Sequence, residues 1–360
     1  MKLSVVMAVR NGEPYVRDAI ESVLAQSVSD FEFLIVDDAS TDDTAAILSE
    51  YRRRDSRVQV WRNERQLGPY PSANRALLSA RSDVIARHDA DDISPPERFA
   101  IQLDALAAFP DVALVTGTVE VFGANAAKAN GLARSPAWQP RLEWELLFNN
   151  AVGAGAHVVF PRIVGGSPVL FPATRRYAED YGLWCRLCRS GRVECPAEIV
   201  YRYRQHDQSI SSLQKTQQAE CVLQIRQEYQ SQYLRSPRSL DLTGATSRFW
   251  TFGGDRRLSE SVQNIGETLT ELRSAFLTYI EQRYGRPVSL TLEADLSEAL
   301  DERITYWLRR SMRFLDWKTA VDLVSLAKSR RNAVSVVANA IRAAADSGLA
   351  RIGRSVRNTR

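Results

Sequence analysis

The first hundred residues alternate between two hydrophobic periods, and this alternation limits the chain to one class of fold. Leu3 to Val9 is a short apolar run rich in β-branched residues, broken by Asn11-Gly12. From Pro14 to Gln26 the apolar residues Val16, Ala19, Ile20, Val23 and Leu24 recur at helical spacing. The exchange repeats with a strand at Phe31 to Val36, a helix at Asp42 to Tyr51, a strand at Val58 to Trp61, a helix at Ser72 to Ala80 and a strand at Val84 to Arg87. Strands separated by helices need crossovers between parallel neighbours, so the pattern predicts an α/β fold with a doubly wound, mainly parallel central sheet flanked by helices. Ligands in such sheets bind at the carboxyl ends of the strands.

That rule singles out two turns. Asp37-Asp38-Ala39-Ser40-Thr41-Asp42 follows the second strand, and His88-Asp89-Ala90-Asp91-Asp92 follows the fourth. The turn after the first strand has no Gly-x-Gly-x-x-Gly, and the chain has no Gly-x-x-x-x-Gly-Lys-Ser/Thr. Dinucleotide dehydrogenases and P-loop enzymes therefore lose their main support. In Asp89-Ala90-Asp91, an extended turn would place both carboxylates on one side, because side chains alternate along extended backbone. Two hard oxygen donors with open positions suit Mg²⁺ or Mn²⁺, whose shell substrate phosphates complete. An isolated Asp-x-Asp reads more simply as a solvated acidic turn ahead of the helix that starts near Pro95-Pro96.

From Val112 to Gln208 the pattern is more irregular, with strands expected at Ala113 to Phe122, His157 to Phe160 and Ile199 to Tyr203. A helix is expected from Glu179 to Arg189, and Gly123 to Pro140 reads as a long loop. Beyond Leu213 the strand signals stop. Helical spacing takes over near Ala219 to Tyr233, Ser259 to Tyr284, Thr291 to Arg310, Trp317 to Ser329 and Ala333 to Ala345. The expected division is 1–212 for the α/β domain and 213–360 for an all-helical extension.

The acidic turns are not isolated. Ser4 to Asn11, Gln26-Ser27, Phe31-Glu32 through Asp42, Asn74, and Asp89 to Asp92 with Pro96 and Arg98 together resemble the inverting nucleotide-sugar glycosyltransferases of family 2, which have the GT-A fold. The resemblance covers roughly residues 2 to 210. It implies that Asp38 bonds the nucleotide base, normally uracil, with Asp37 beside it, and that Ala8, Val9, Arg10 and Asn11 lie along base and ribose. It also implies that Asp89, Ala90 and Asp91 hold the metal and diphosphate with support from Asp92, and that Asn74 faces the donor. Gly153 and Gly155 resemble a small-residue loop that admits sugar and acceptor. His206 matches a histidine that completes the metal or diphosphate site. Asp180 matches the catalytic base, with Glu179 as a neighbour able to exchange roles. One departure is Arg10, where some relatives carry a stacking aromatic.

The chemistry suits these residue types. Departure of a diphosphate develops negative charge, which a divalent cation stabilises without proton transfer. An acceptor hydroxyl needs a carboxylate to take its proton as the new bond forms. Taken alone, Glu179 and Asp180 equally suit a helix N-terminus, His206 suits a loop or core, and Asp37 suits a turn anchor. Two other classes are weaker. A sugar-phosphate nucleotidyltransferase needs a Gly-rich, basic loop after the first strand, which is absent, and a non-catalytic scaffold has no chemical reason to keep Asp89, Asp91 and Asp180.

Charge separates the C-terminus from the rest. The 360 residues carry a net +4, with 44% hydrophobic and 25% charged residues, which excludes disorder as the main state and gives no overall signature of a nucleic-acid binder. From Leu326 onward eight basic residues face one acidic, a net +7, leaving −3 elsewhere. Ala333 to Gly353 reads as an arginine-bearing amphipathic helix, suited either to an anionic membrane surface or to packing with a solvated basic face. No uncharged apolar stretch approaches the roughly 18 to 20 residues that span a bilayer, and the N-terminal run is short for a signal peptide. The expected location is cytoplasmic, peripheral on the inner membrane face if the tail binds lipid. The resemblance adds a saccharide or lipid-linked saccharide as acceptor. Cys185 and Cys188 have Cys-x-x-Cys spacing near Cys195, but without a second pair they read as buried small hydrophobes in preference to zinc ligands.

Overall fold

The computed structural model describes residues 1–123, 129–153, 155–172, 178–206, 215–235, 243–251 and 262–313, with residues 322, 323 and 326. Among these, the expected alternation is present. Strands β1 (Leu3–Val9), β2 (Phe31–Asp37), β3 (Val58–Arg62) and β4 (Val84–Asp89) alternate with helices α1 (Val16–Leu24), α2 (Thr44–Arg54) and α3 (Pro69–Ser79). Then follow α4 (Arg98–Ala107), β5 (Val112–Val115), β6 (Thr118–Phe122), β7 (Ala129–Arg134), α5 (Gln139–Glu145) and β8 (Val159–Pro161). Strands β9 (Ile163–Val164) and β10 (Ser167–Pro168), helix α6 (Glu179–Ser190), and strands β11 (Arg192–Glu194) and β12 (Ile199–Arg204) come next. The remaining elements are helical: α7 (Lys215–Gln230), α8 (Thr243–Thr251), α9 (Val262–Tyr284) and α10 (Arg286–Arg313).

The chain divides into two compact units, residues 1–146 with 150–222, and residues 147–149 with 223–360. The first is built on a seven-stranded sheet in the order β11-β5-β8-β4-β1-β2-β3. Strands β4, β1, β2 and β3 pair in parallel, and β8 runs antiparallel between β4 and β5. β1 and β2 are buried along nearly their whole length, which explains their continuous apolar runs. α1 covers them with Val16, Ala19, Ile20 and Val23, the residues its helical spacing selected.

Two readings of the middle region are corrected. The run from Ala113 to Phe122 is two strands in two sheets, because the chain leaves β5 at Gly117 and enters a second sheet, β12-β6-β7. Gly117 has φ +147°, and a Cβ there would lie 2.4 Å from Val200 Cγ2, so the crossing depends on a missing side chain. Gly123 to Pro140 is not one long loop. It contains β7, antiparallel to β6, and the start of α5, elements too short and too rich in Ala and Gly to give a periodic signal.

Polar groups are also used as internal ties. Gln26, just past α1, donates to the Pro95 carbonyl at 2.6 Å and accepts the Phe99 N–H at 3.0 Å. Arg98 is fully buried. Its guanidinium donates to Gln102 Oε1, Ser94 Oγ and the carbonyls of Arg87 and Ala156, at 2.7 to 3.0 Å, and burial pulls its pKa down to about 10. These bonds join β4, α4 and the strand-leading segment at Ala156.

In the second unit, α9 and α10 form a helical hairpin. Gly285 at φ +90° ends the first helix, and Pro287 falls in the first turn of the next, each suited to its place. Trp307 Nε1 donates to the Phe249 carbonyl at 2.9 Å and Arg303 Nε to that of Trp250 at 3.0 Å, so two α10 side chains satisfy the end of α8. α8 gave no sequence signal. Among the described residues no helix is long and apolar enough to cross a membrane. The expected helix at 333–345, the basic tail, and most of the expected helix at 317–329 lie outside the described residues.

Candidate active site

The carboxyl ends of β1, β2 and β4 open onto one cavity of about 560 Å³ in the first unit. Ala8, Val9, Arg10, Asn11, Asp38, Asp89, Ala90, Asp91, Gly153, Gly155, Asp180 and His206 all line it. Asp37, Asn74, Asp92 and Glu179 do not.

The end at β2 is a pair of turns that lock each other. Asp38 Oδ1 accepts Asn63 Nδ2 and the Leu67 N–H, and its Oδ2 accepts the Gly68 N–H, each at 2.8 Å. The carboxylate thus pins the segment leading into α3 while forming part of the cavity wall. Asn11, at φ 50°, donates its N–H to Ser40 Oγ at 3.0 Å, and its Oδ1 accepts the Thr41 N–H at 2.9 Å. Arg10 Nη1 donates to the carbonyls of Asp38 and Ala39 at 2.9 and 2.7 Å. Asp37 is buried beneath, its Oδ1 accepting the Ser40 N–H at 2.9 Å, so it anchors the turn and does not face the cavity. Asn74 exchanges two bonds with the Phe171 backbone, at 2.8 and 2.9 Å, and clasps α3 to that segment in place of facing a ligand.

At β4 the strand runs through Asp89 itself, and the chain turns directly after it. The turn is therefore not extended, yet ligand oxygens of Asp89, Asp91 and Asp92 lie within 4.8 Å of one another. Asp92 is wholly buried, its Oδ1 accepting the Arg204 N–H at 2.8 Å. Burial, then the charges of Asp91 and Asp89, push its carboxyl well above the usual range. Asp91 is partly exposed, and burial followed by Asp89 raises its carboxyl, while His206 opposes the shift. His206 Nε2 lies 2.9 Å from Asp91 Oδ2, and its ring rests on Tyr15 with centroids 4.9 Å apart. Like charges held this close, against the cost of burial, form a donor set that a divalent cation would relieve. Asp89 and Asp91 fit as its ligands, and Asp92 fits as their support.

The opposite wall is the start of α6. Asp180 Oδ2 accepts Asn150 Nδ2 at 3.1 Å. Burial raises its pKa, and the Tyr181 N–H, Arg87, Tyr70 and Asn150 pull against the rise. Gly155 lies flat on this wall. A Cβ there would stand 2.8 Å from Trp184 Cζ2 and 3.1 Å from Asp180 Cβ, so glycine lets this segment pack directly on α6. Gly153 has φ +90°. Glu179 is buried away from the cavity, because adjacent residues on a helix point about 100° apart.

Sequence reasoning missed Arg87, Tyr70 and Asn150, all of which line the same cavity. Arg87 carried a signal, since it stands two residues before Asp89 on a strand and so shares its face. Tyr70 and Asn150 carried none, because a proline-flanked first turn and an irregular loop bring them in.

Residues 4–164 match the sequence profile of glycosyl transferase family 2. This region is a family 2 glycosyltransferase domain. A stretch of 241 residues is 26% identical to an uncharacterized glycosyltransferase of Haemophilus influenzae, covering 64% of this chain and 74% of that one. Over 212 residues it is 27% identical to the Escherichia coli enzyme UDP-Glc:alpha-D-GlcNAc-diphosphoundecaprenol beta-1,3-glucosyltransferase WfgD, covering 58% and 79% respectively. Three further relatives match over 102, 103 and 102 residues, and the chain spans 35%, 37% and 40% of their lengths. Residues 1–349 of S. aureus TarS, in complex with UDP-GlcNAc, superpose with a TM-score of 0.55 at 16% identity, covering 92% of each chain. At that identity the likeness concerns the fold, which is GT-A with a helical C-terminal region. The family 2 domain contains the Asp38, Asp89 and Asp91 walls of the cavity, while Asp180 and His206 come from beyond residue 164.

Proposed function

We propose that the chain is an inverting, metal-dependent glycosyltransferase. It moves a sugar from a nucleoside-diphosphate donor, UDP first among them, to a hydroxyl of a saccharide or lipid-linked saccharide during cell-envelope polysaccharide assembly. In this reading residues 1–212 do the chemistry and 213–360 serve acceptor and membrane. The observation that carries it is that Asp89 and Asp91 on one side, and Asp180 on the other, open onto a single cavity of a family 2 domain.

Mn²⁺ or Mg²⁺ held by Asp89 and Asp91, with His206 beside them, would supply Lewis-acid stabilisation of the leaving diphosphate. The chain's own residues account for the rest. Asp38, Arg10 and Asn11 form a rigid wall for base and ribose. Asp180 accepts the proton of the attacking hydroxyl, and a single base opposite the leaving group is what inversion requires. Its raised pKa brings it closer to the working pH, which favours proton transfer. Gly155 lets its segment close directly onto Asp180 and Trp184. WfgD, named for a diphosphoundecaprenol acceptor, supports a lipid-linked substrate.

The test is a transfer assay. Purified protein, Mn²⁺ and a panel of UDP-, GDP- and dTDP-sugars are incubated with undecaprenyl-diphosphate saccharides, and nucleoside diphosphate release and product linkage are followed. Release that depends on acceptor, Mn²⁺ and Asp180 supports the reading; acceptor-independent or metal-independent release contradicts it.

A further inference from the structure

We infer that Arg87 is a ligand of the donor's diphosphate, its guanidinium offsetting charge on the leaving-group oxygens beside the acidic cluster. The inference rests on the reading of the cavity as a nucleoside-diphosphate-sugar site.

The buried arginines differ in how they are used. Among the described residues these are Arg87, Arg98 and Arg204. Arg98 spends its guanidinium on four protein acceptors. Arg204 gives Nε to the Asp91 carbonyl at 2.8 Å and Nη2 to Asp18 Oδ2 at 3.1 Å. The Arg87 side chain is only 8% exposed, yet the one protein acceptor its guanidinium meets among the described residues is Asp89, with Nη2 2.8 Å from Oδ1. It also lines the cavity, which neither of the others does.

A buried charge with spare N–H groups is costly unless something else satisfies them. Nor can this one easily turn away. Its guanidinium carbon stands 5.4 Å from the Tyr70 ring centroid and 5.7 Å from that of Phe171, and the two rings are 4.8 Å apart. Phe171 is fixed by its two bonds to Asn74. Tyr70 lies in the first turn of α3, whose lead-in Asp38 pins through the N–H groups of Leu67 and Gly68. The donor fork is thus preorganised on the cavity wall.

The chemistry of its occupant follows from its neighbour. Asp89 fits a cation and also pairs with Arg87, so an anion that binds such a cation arrives beside the guanidinium. The planar fork matches two oxygens of a phosphate. When the bond from the anomeric carbon to the diphosphate oxygen breaks, its electron pair stays on that oxygen, and a fixed positive group there stabilises it without moving a proton. Packing alone does not explain the charge, since a methionine would fill the space beside the two rings without the cost of desolvation.

The experiment is calorimetric titration with UDP at saturating Mn²⁺ in the wild type, Arg87→Gln and Arg87→Lys, with Mn²⁺ alone and thermal melting as controls. Arg87→Gln should weaken UDP binding by at least about 10-fold while Mn²⁺ alone binds no more weakly than in the wild type. Arg87→Lys, which keeps the charge and loses the fork, should lose less, and it carries the test if Arg87→Gln does not melt cooperatively. UDP binding of wild-type strength in the variants overturns the assignment, as does a loss matched by an equal loss of Mn²⁺ binding. Titration of the wild type and Arg87→Gln with UDP-glucose and UDP-glucuronate separates the remaining source of negative charge: a loss confined to UDP-glucuronate would mean that Arg87 reads a sugar carboxylate, which also overturns it. If the wild type binds no UDP, the donor reading falls; if it binds and Arg87→Gln binds equally, only the role of Arg87 falls.

Discussion

Arg87 Nη2 and Asp89 Oδ1 are 2.8 Å apart, an ion pair between side chains two residues apart on the same face of β4. The guanidinium therefore competes with any cation for an oxygen of the acidic cluster. Replacing it by Arg87→Gln should tighten Mn²⁺ binding in the absence of nucleotide, by about three-fold or more, because one positive charge is withdrawn from beside the site. Calorimetric titration with Mn²⁺ alone checks this, and weaker binding would mean that Arg87 shapes the site and does not compete for it.

Asp180 is expected to separate activity from stability. Burial raises its carboxyl, so the folded state holds the proton more tightly than the unfolded chain does. The resulting stability is present below the usual aspartate pKa and is lost as pH rises through the raised value. Asp180→Asn should thus raise Tm near neutral pH and change it little below about pH 3, while lowering kcat by roughly 10² to 10⁴. Wild-type kcat should fall on the acid side at a pH above the ordinary aspartate range of about 4. Thermal melts and kcat measured across pH check both halves.

Arg98 is the internal tie most exposed to a single change. Its removal leaves Gln102, Ser94 and the carbonyls of Arg87 and Ala156 without their donor in a dry interior. Arg98→Ala should cost about 3 to 5 kcal/mol, read from urea denaturation, the range for breaking a buried charged network. A cost below about 1 kcal/mol would show that water replaces the guanidinium.

The basic tail gives a separate prediction. Deleting residues after Ser329 removes most of the net +7 carried from Leu326 onward. Sedimentation with phosphatidylglycerol vesicles should fall sharply, since each basic residue near an anionic surface contributes about 1 kcal/mol. Equal sedimentation of full-length and truncated protein would rule out a lipid-binding tail.

The sequence made the parallel half of the sheet legible because β1, β2 and β4 are buried on both faces and the helices between them on one, so the two periods stand out. Asp38, Asp89 and Asp91 followed from their place at the strand ends. Burial direction was not legible. Asp37 and Asp38 are adjacent, as are Glu179 and Asp180, and nothing in the residue types says which of each pair faces inward. The crossing at Gly117 was hidden because Val200, the side chain that excludes a Cβ there, is 83 positions away in the chain. Asn150 reaches Asp180 from a segment with no periodic signal, a contact that tertiary packing alone creates.

The most direct test of the central claim is UDP titration by calorimetry with Mn²⁺ and then with chelator, in the wild type and in Asp91→Asn. The account predicts binding in the wild type that disappears with chelator, and none in the variant, whose melting curve stays cooperative. UDP binding of equal strength with and without Mn²⁺, or in Asp91→Asn, would contradict a metal-dependent donor site at Asp89 and Asp91.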